Sequence, residues 1–314
     1  MAAQTAPRRP LIGLALGSGA ARGWAHIGII DALLEAGIEP DIVCGTSIGA
    51  LVGAAYVADR LPALRSFALG VTRREMVGLL DVRLTAGGVV DGKRIVAMLH
   101  GLGIDAPIES YGKPYAAVAT DLETGREIWL RDGPILEAVR ASISLPGVFS
   151  PVRTDGRWLA DGGLVNPVPV STCRALGADI IIAVNLNGDI VSRFEGDAPR
   201  QAKAGPTDGS PEFLRRLMDQ IPPAIRQQAS AIVPKLLRPA SGAPGYFDVL
   251  INSLNVMKDQ ITRARLAGEP PHVLLAPRLR TIGSFDFNRA EEAIAEGRAS
   301  VQHALPEIRR YISD

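Results

Sequence analysis

The chain has 314 residues, enough for one large α/β domain or two smaller ones, and hydrophobic residues make up 47% of it. The 34 basic and 33 acidic side chains leave a net charge of +1, which argues against a nucleic-acid-binding protein that works through a broad basic face. Cys44 and Cys173 are too few for a disulfide scaffold and lack the spacing of a metal site. We therefore expect buried free thiols in a reducing compartment.

No apolar run in the sequence reaches the roughly 18–20 residues that a membrane-spanning helix needs. The run from Leu11 to Leu16 passes directly into a glycine-rich loop and is not followed by the cleavage site of a secretory signal. We expect a cytoplasmic protein that is soluble or at most peripheral at a membrane, with residues 1–10 as a flexible N-terminus.

The first sixty residues predict a parallel sheet. A continuous apolar run indicates a strand buried on both faces, and Gly37 follows the first helical segment as a C-terminal cap. Strand, loop, helix, strand, turn and helix follow one another, as they do when right-handed crossovers join parallel strands. The expected elements here are strands over 11–16 and 41–44 and helices over 24–36 and 48–58.

The rest of the chain changes pattern several times. Residues 61–110 are mostly helical in periodicity, with a break at 85–88, and the alternation over 114–132 predicts a hairpin that turns near Gly125. Residues 187–209 are polar and rich in Gly, Pro and Asp, which predicts a loop. The remaining predicted elements are helices over 135–142, 212–238, 246–266 and 290–311 and strands over 178–186 and 272–276.

The turn Gly45-Thr46-Ser47-Ile48-Gly49 lies between a predicted strand and a predicted helix. Gly-x-Ser-x-Gly in this context is typical of a nucleophile elbow, a turn so sharp that the flanking positions tolerate little side-chain bulk and the serine hydroxyl is exposed. The alternative is an ordinary strand–helix turn with Ser47 as the N-cap of the helix. The motif alone does not separate the two interpretations.

A glycine-rich loop follows the first strand and opens the first helix. A dinucleotide fingerprint would need glycine at its sixth position, where Arg22 stands, and the loop lacks the Gly-Lys-Ser/Thr ending of a P-loop. Backbone N–H groups at a helix N-terminus can hold an anion, and at the shared edge of a parallel sheet they can face Ser47 as an oxyanion hole. Arg22 adds positive charge or braces the loop, and we favour bracing. The candidate residues are Gly17, Ser18, Gly19, Ala20, Ala21, Arg22 and Gly23.

A serine nucleophile needs a neighbouring base, and histidine is the usual one. The order found in α/β-hydrolases would permit Ser47 and Asp161 with His272 or His303. That fold places several strands before its elbow, whereas one precedes the elbow strand here, and neither histidine lies in a recognisable catalytic loop. His26 is favoured as a structural residue.

Asp161 is the better candidate for the base. The glycines at 162 and 163 place its carboxylate on a tight turn where the backbone can approach other groups closely. Taken alone, Asp-Gly-Gly indicates no more than a hairpin turn. The hypothesis rests on its combination with the serine elbow and the loop of amides.

These three motifs, in this order, resemble those of the patatin-like phospholipase family. Residues 17–23 resemble its oxyanion motif, residues 45–49 its nucleophile elbow, and Asp161-Gly162-Gly163 the motif that carries the base of its Ser–Asp dyad. Residues 25–28 and 141–149 also resemble the bacterial branch related to neuropathy-target-esterase domains.

The resemblance implies a three-layer α/β/α fold with a mostly parallel central sheet. It implies a single hydrolase domain over 11–314, with a flexible or lid-like insertion at about 187–245. It further implies hydrolysis of acyl esters, with lysophospholipids or phospholipids as substrates and with no metal and no cofactor. Ser47 would be the nucleophile and Asp161 its base. Because a carboxylate is a weak base in water, Asp161 must then be partly desolvated and within hydrogen-bond reach of Ser47.

Other functions and contacts stay open from the sequence. Basic and apolar residues interleave over 212–238, as in a helix that lies in a membrane interface, although packing against its own domain is slightly favoured. Acyl transfer to an acceptor other than water is one alternative function, and a non-catalytic regulator that binds an acyl lipid is another. A nucleotide-dependent enzyme is disfavoured by Arg22.

Overall fold

The computed structural model describes residues 8–72, 75, 82–85, 88–188 and 246–313. The segment before residue 8, the lid-like insertion beyond residue 188 and the helix predicted over 212–238 lie outside the described residues. Membrane contact through 212–238 therefore stays a prediction.

Strands and short hairpins alternate with helices along the described chain. The strands are β1 (Ile12–Leu16), β2 (Ile42–Thr46), β3 (Val82–Thr85), β4 (Gly88–Val90), β5 (Tyr115–Asp121), β6 (Glu127–Leu130), β7 (Val152–Thr154), β8 (Arg157–Asp161), β9 (Ile180–Val184) and β10 (Val273–Leu275). The helices are α1 (Ala25–Glu35), α2 (Ile48–Val57), α3 (Leu61–Gly70), α4 (Lys93–Gly101), α5 (Ile135–Ser142), α6 (Val170–Ala175), α7 (Tyr246–Gly268) and α8 (Ala290–Ser313). Short 3₁₀ helices include Ala20–Trp24 and Gly162–Leu164.

One mixed sheet forms the centre of the described part of the molecule, in the strand order β10-β9-β1-β2-β5-β8-β7 with β6 paired to β5. The pairs β10–β9, β9–β1, β1–β2 and β2–β5 are parallel. The pairs β5–β6, β5–β8 and β7–β8 are antiparallel. The expected mostly parallel sheet is confirmed.

Both faces of the sheet are covered, as a parallel sheet requires. In β1, Leu14 and Leu16 pack into the larger apolar cluster together with α1, α2 and α8. Ala15, which points to the opposite face, packs into a second cluster with Val170 and Cys173 of α6. Helices on the two faces of one sheet give the expected three-layer α/β/α architecture.

The two edges of β5 are used differently. Ala117 pairs with both Gly45 of β2 and residue 130 of β6, and Ala119 pairs with both Asp161 of β8 and residue 128 of β6. Strand β6 thus occupies one edge, while β2 and β8 follow one another along the other edge. Because β2 runs parallel to β5 and β8 runs antiparallel to it, their C-terminal ends meet there.

Most predicted elements are confirmed, including the helix over 135–142 and the cap at Gly37, whose φ is +75°. The break expected at 85–88 agrees with the end of β3 and the start of β4, but the helical structure expected on both sides of it is wrong over 82–85 and 88–90, where the two strands pair as an antiparallel hairpin. Strands of three or four residues are too short to establish an alternating pattern in the sequence. The three-residue strand β7 escaped prediction for the same reason, and the six-residue helix α6 spans fewer than two turns, too few to show helical periodicity.

Candidate active site

Ser47 lies on a strained turn between β2 and α2. Its φ of +58° is in the left-handed region, which is uncommon for a residue other than glycine. A Cβ atom at Gly45 would lie 2.4 Å from the Ala50 nitrogen, and one at Gly49 would lie 2.1 Å from the Leu16 carbonyl oxygen. Neither flanking position can carry a side chain without movement of the backbone. Gly45 is required by the turn itself, and Gly49 is required by the close approach of the end of β1.

The Ser47 side chain points to Asp161 instead of capping the helix. Ser47 occupies the N-cap position of α2, but its hydroxyl makes no capping hydrogen bond. Its Oγ donates to Asp161 Oδ2 over 2.6 Å. The Asp161 side chain is buried, with 1% of its surface exposed, and its other oxygen accepts the Gly163 N–H at 2.7 Å. The structure thus brings together the two residues of the hypothesised dyad.

Ser142, the last residue of α5, ties the elbow to the sheet. It is fully buried. Its Oγ accepts the backbone N–H of Ser47 at 2.8 Å and donates to the Val118 carbonyl of β5 at 2.6 Å. One hydroxyl therefore fixes the position of the serine turn against the strand that β2 and β8 share.

Asp161 is fixed by its own backbone as well as by its side chain. Its N–H donates to the Ser144 carbonyl at 2.9 Å, and its carbonyl accepts the Thr120 hydroxyl at 2.8 Å. The Arg140 guanidinium in turn donates to Ser144 Oγ at 2.6 Å. A Cβ atom on the following Gly162 would lie 2.2 Å from the Val118 carbonyl oxygen, which explains why glycine stands there.

The structure reduces the number of loop residues whose N–H groups could form the predicted oxyanion hole. The N–H groups of Gly17, Ser18 and Ala21 donate to backbone carbonyls elsewhere in the chain, that of Arg22 donates to the Gly19 carbonyl, and Gly23 lies inside a 3₁₀ helix. Within the described part of the chain, the N–H groups of Gly19 and Ala20 have no acceptor. The φ of Ala20 is +50°, a second strained position beside the site.

Arg22 and His26 brace the loop from beneath. The buried Arg22 guanidinium donates to Asn187 Oδ1 at 3.0 Å, which agrees with the bracing role favoured from the sequence. His26 Nε2 lies 2.8 Å from the Gly17 carbonyl oxygen. Burial lowers the pKa of His26 to about 4, so the ring is neutral near pH 7 and donates from Nε2.

The other histidines make contacts of their own. His272 Nδ1 accepts the Ile181 N–H at 3.0 Å, and His303 Nδ1 lies 2.7 Å from the Ala299 carbonyl oxygen in its own helix. His100 lies 3.5 Å from Asp105 on the surface. These contacts are structural, and Asp161 is the acceptor that Ser47 uses.

Lys258 of α7 is a residue of the site that the sequence analysis missed. Its Nζ lies 3.5 Å from Asp161 Oδ1, and its side chain is 10% exposed. Lys258 lies on the core-facing stripe of α7, whose other members include Leu254 and Thr262. A lysine on an otherwise buried stripe was the signal that could have identified it.

Helix α7 and the glycine-rich loop together line a pocket beside the dyad. Polar groups come from the loop, from Lys258 and from Asn187, Asn255 and Ser284, and the other part of the wall is apolar. The apolar side chains are those of Leu145, Ile251, Leu254 and Phe285, and the loop residues are Ser18, Gly19, Ala20 and Arg22. Such a mixture suits a ligand with a polar reacting group joined to an apolar chain.

Cys44 and Cys173 are free and buried, as expected. Burial raises the pKa of the Cys44 thiol well above its usual value, which makes it a poor nucleophile. Across the residues that the structure describes, no group of three or more His, Cys, Asp or Glu side chains could hold a metal ion. No helix in this same part of the chain is long and apolar enough to cross a bilayer.

The family profile described as patatin-like phospholipase matches residues 14–174, which contain the glycine-rich loop, Ser47 and Asp161. The chain belongs to the patatin-like phospholipase family. It is 34% identical to an uncharacterized NTE family protein of Mycobacterium tuberculosis, over 94% of this chain and 91% of that protein.

Mammalian members of the patatin-like phospholipase family match over a shorter region. Patatin-like phospholipase domain-containing protein 7 of Mus musculus is 36% identical over 193 residues, which is 59% of this chain and 14% of that protein. The crystal structure of VipD from Legionella pneumophila aligns over 99% of this chain and 78% of that one, with a TM-score of 0.37 and 14% identity. Family membership, as shown by the profile and the sequence relatives, indicates a hydrolase that acts on lipids.

Proposed function

We propose that this protein is a serine acyl-ester hydrolase that cleaves lysophospholipids or phospholipids, with Ser47 as the nucleophile and Asp161 as the general base. The observation that carries the proposal is the 2.6 Å hydrogen bond from Ser47 Oγ to a carboxylate that is almost fully buried. The hydrogen bond places Asp161 Oδ2 within the distance that a general base needs to take the Ser47 proton.

In the proposed acylation step, Ser47 Oγ attacks the acyl carbon while its proton passes to Asp161 Oδ2. The electron pair of the carbonyl double bond moves to the carbonyl oxygen, and the free N–H groups of Gly19 and Ala20 stabilise the resulting oxyanion. The intermediate then collapses and expels the alcohol of the lipid, which takes the proton from Asp161. Ser47 is left acylated.

In the proposed deacylation step, a water molecule attacks the acyl-enzyme and gives one proton to Asp161. The second tetrahedral intermediate collapses, the fatty acid leaves, and Ser47 Oγ regains the proton. The apolar side chains of Leu145, Ile251, Leu254 and Phe285 supply the wall on which an acyl chain would lie. This lining supports a lipid ester as the substrate over a small polar ester.

The test uses a fluorophosphonate probe together with turnover of a p-nitrophenyl ester and release of fatty acid from lysophosphatidylcholine. Wild type, Ser47→Ala, Asp161→Asn and the exposed control Ser66→Ala are compared, with circular dichroism to verify folding. Ser47→Ala should lose labelling and turnover. Asp161→Asn should lower kcat by about 10²- to 10⁴-fold, the usual contribution of a general base. Equal labelling of wild type and Ser47→Ala would overturn the proposal.

A further inference from the structure

The Asp161 carboxylate divides its two oxygens between different partners. Oδ2 accepts the hydroxyl of Ser47, and Oδ1 accepts the Gly163 N–H and faces the Lys258 ammonium at 3.5 Å. Rotation of the carboxylate about its Cβ–Cγ bond would exchange these positions. Because the two oxygens are chemically equivalent, such an exchange restores the same contacts. The attraction between the Lys258 ammonium and the nearer oxygen instead disfavours intermediate torsions, in which the other oxygen would turn away from the serine.

Lys258 can reach Asp161 because the residue that faces it, Gly163, has no side chain. A Cβ atom on Gly163 would lie 2.7 Å from Lys258 Cε and 2.9 Å from its Nζ. It would also lie 2.8 Å from Asp161 Oδ1. A glycine at this position thus leaves the space in which the lysine and the carboxylate meet.

Docking of α7 does not by itself explain a lysine at this position. Another ion pair already links α7 to the sheet, since Arg265 donates to Glu127 at 2.9 Å. Near the other end of the helix, Leu250 lies over Gly147, and Ile251 packs in the apolar cluster around Val148. An apolar side chain on the buried stripe would complete this packing without the cost of burying a charge.

A counter-charge at Lys258 also fits the course of the proposed reaction. As Ser47 attacks, negative charge leaves Asp161 and develops on the substrate oxygen beside Gly19 and Ala20. Lys258 lines the same pocket as these two residues while its ammonium faces Asp161. A cation in this place stays close to the negative charge before and after the transfer.

We infer that Lys258 is a positioning residue of the dyad, which orients the Asp161 carboxylate toward Ser47 and balances the negative charge of the site. This inference rests on the proposed function. It assigns α7, which lies downstream of the region that the family profile matches, a part in holding the base in place.

The experiment compares wild type with Lys258→Met, Lys258→Arg and Lys258→Ala, and uses Arg265→Met as the matched control for helix docking. Lys258→Met should lower kcat by about 10²-fold, as expected when reacting groups lose their alignment, with a much smaller change in KM. Lys258→Arg should recover most of this loss. Ethylamine or propylamine should raise the turnover of Lys258→Ala and have no effect on Lys258→Met, whose side chain fills the space. Thermal melting verifies that each variant is folded.

The outcomes separate the two proposals. An equal loss of kcat in Lys258→Met and Arg265→Met, without rescue by Lys258→Arg or by amines, would show that Lys258 only anchors α7 and would overturn the inference. Unchanged turnover in Lys258→Met would overturn it as well. If wild type shows no turnover, or Ser47→Ala retains it, the proposed function itself fails.

Discussion

Replacement of Ser142 by alanine tests whether one buried hydroxyl fixes the nucleophile turn. Ser142 Oγ joins the Ser47 N–H to the Val118 carbonyl through hydrogen bonds of 2.8 and 2.6 Å. Ser142→Ala removes both bonds and leaves a donor and an acceptor without this partner. The substitution otherwise removes a single oxygen atom.

The expected cost follows from the burial of the two partners. A buried polar group left unsatisfied costs about 1–3 kcal/mol. Val118 is fully buried, whereas Ser47 is partly exposed and can bind water through the opening of the site. Two such groups would cost about 2–6 kcal/mol, and the access of Ser47 to water favours the lower part of that range. We therefore expect Ser142→Ala to lower the unfolding free energy by about 2–4 kcal/mol. A displaced Ser47 should also lower kcat, by about 10²-fold for a shift of about 1 Å.

The assay is urea denaturation followed by circular dichroism, combined with the rate of fluorophosphonate labelling. Ser66→Ala is the matched control, because Ser66 is exposed and its hydroxyl bonds only to a carbonyl one turn earlier in its own helix. That control should change the unfolding free energy by less than about 0.5 kcal/mol. If Ser142→Ala matched Ser66→Ala in both stability and labelling rate, the turn would be fixed by its own backbone, and the reasoning would be refuted.

Two further predictions concern backbone packing and pH. Gly49→Ala would set its Cβ 2.1 Å from the Leu16 carbonyl oxygen and should lower the unfolding free energy by about 1–3 kcal/mol or more, whereas Gly70→Ala, with no atom within 4 Å, should leave it unchanged or slightly raised. Thermal melting distinguishes the two, and equal melting temperatures would contradict the packing argument. The pKa of His26 is about 4 in the fold against 6.5 for a free side chain, so between these values the unfolded chain binds more protons. Stability should fall by about 3 kcal/mol as the pH decreases from 6.5 to 4. His26→Gln, which can still donate to the Gly17 carbonyl, should lack this component in urea titrations at the two pH values, and an identical pH dependence would contradict it.

The sequence was most informative where function is encoded locally. Gly45 is required by contacts within the turn itself, so the sharp strand–helix turn could be predicted from five residues, although those residues alone did not distinguish a nucleophile elbow from a helix cap. The helix at 135–142 and the cap at Gly37 likewise follow from contacts within a few residues. Such features need no knowledge of the rest of the fold.

Other parts of the site depend on contacts between distant segments and could not be derived locally. The N–H groups of Gly17, Ser18 and Ala21 donate to the carbonyls of residues 184, 167 and 284. Nothing in the sequence of the loop itself identifies those acceptors. The seven-residue loop could therefore not be reduced to Gly19 and Ala20 before the fold was known. Lys258 was missed because its partner lies in a different segment of the chain.

Because β2 and β8 meet along one edge of β5, the contact between Ser47 and Asp161 forms only when these distant strands have both joined the sheet. Ser47 and Asp161 lie 114 positions apart in the chain, yet their strands end opposite the neighbouring residues 118 and 119 of β5. Pairings of this sequence separation form late and slowly, because chain closure must occur first. A growing chain that has completed the turn at Ser47 still lacks Asp161, so under the proposed mechanism Ser47 remains inert until the sheet closes. Fluorophosphonate labelling of Ser47 would then detect only chains whose sheet is complete, and not partly folded chains.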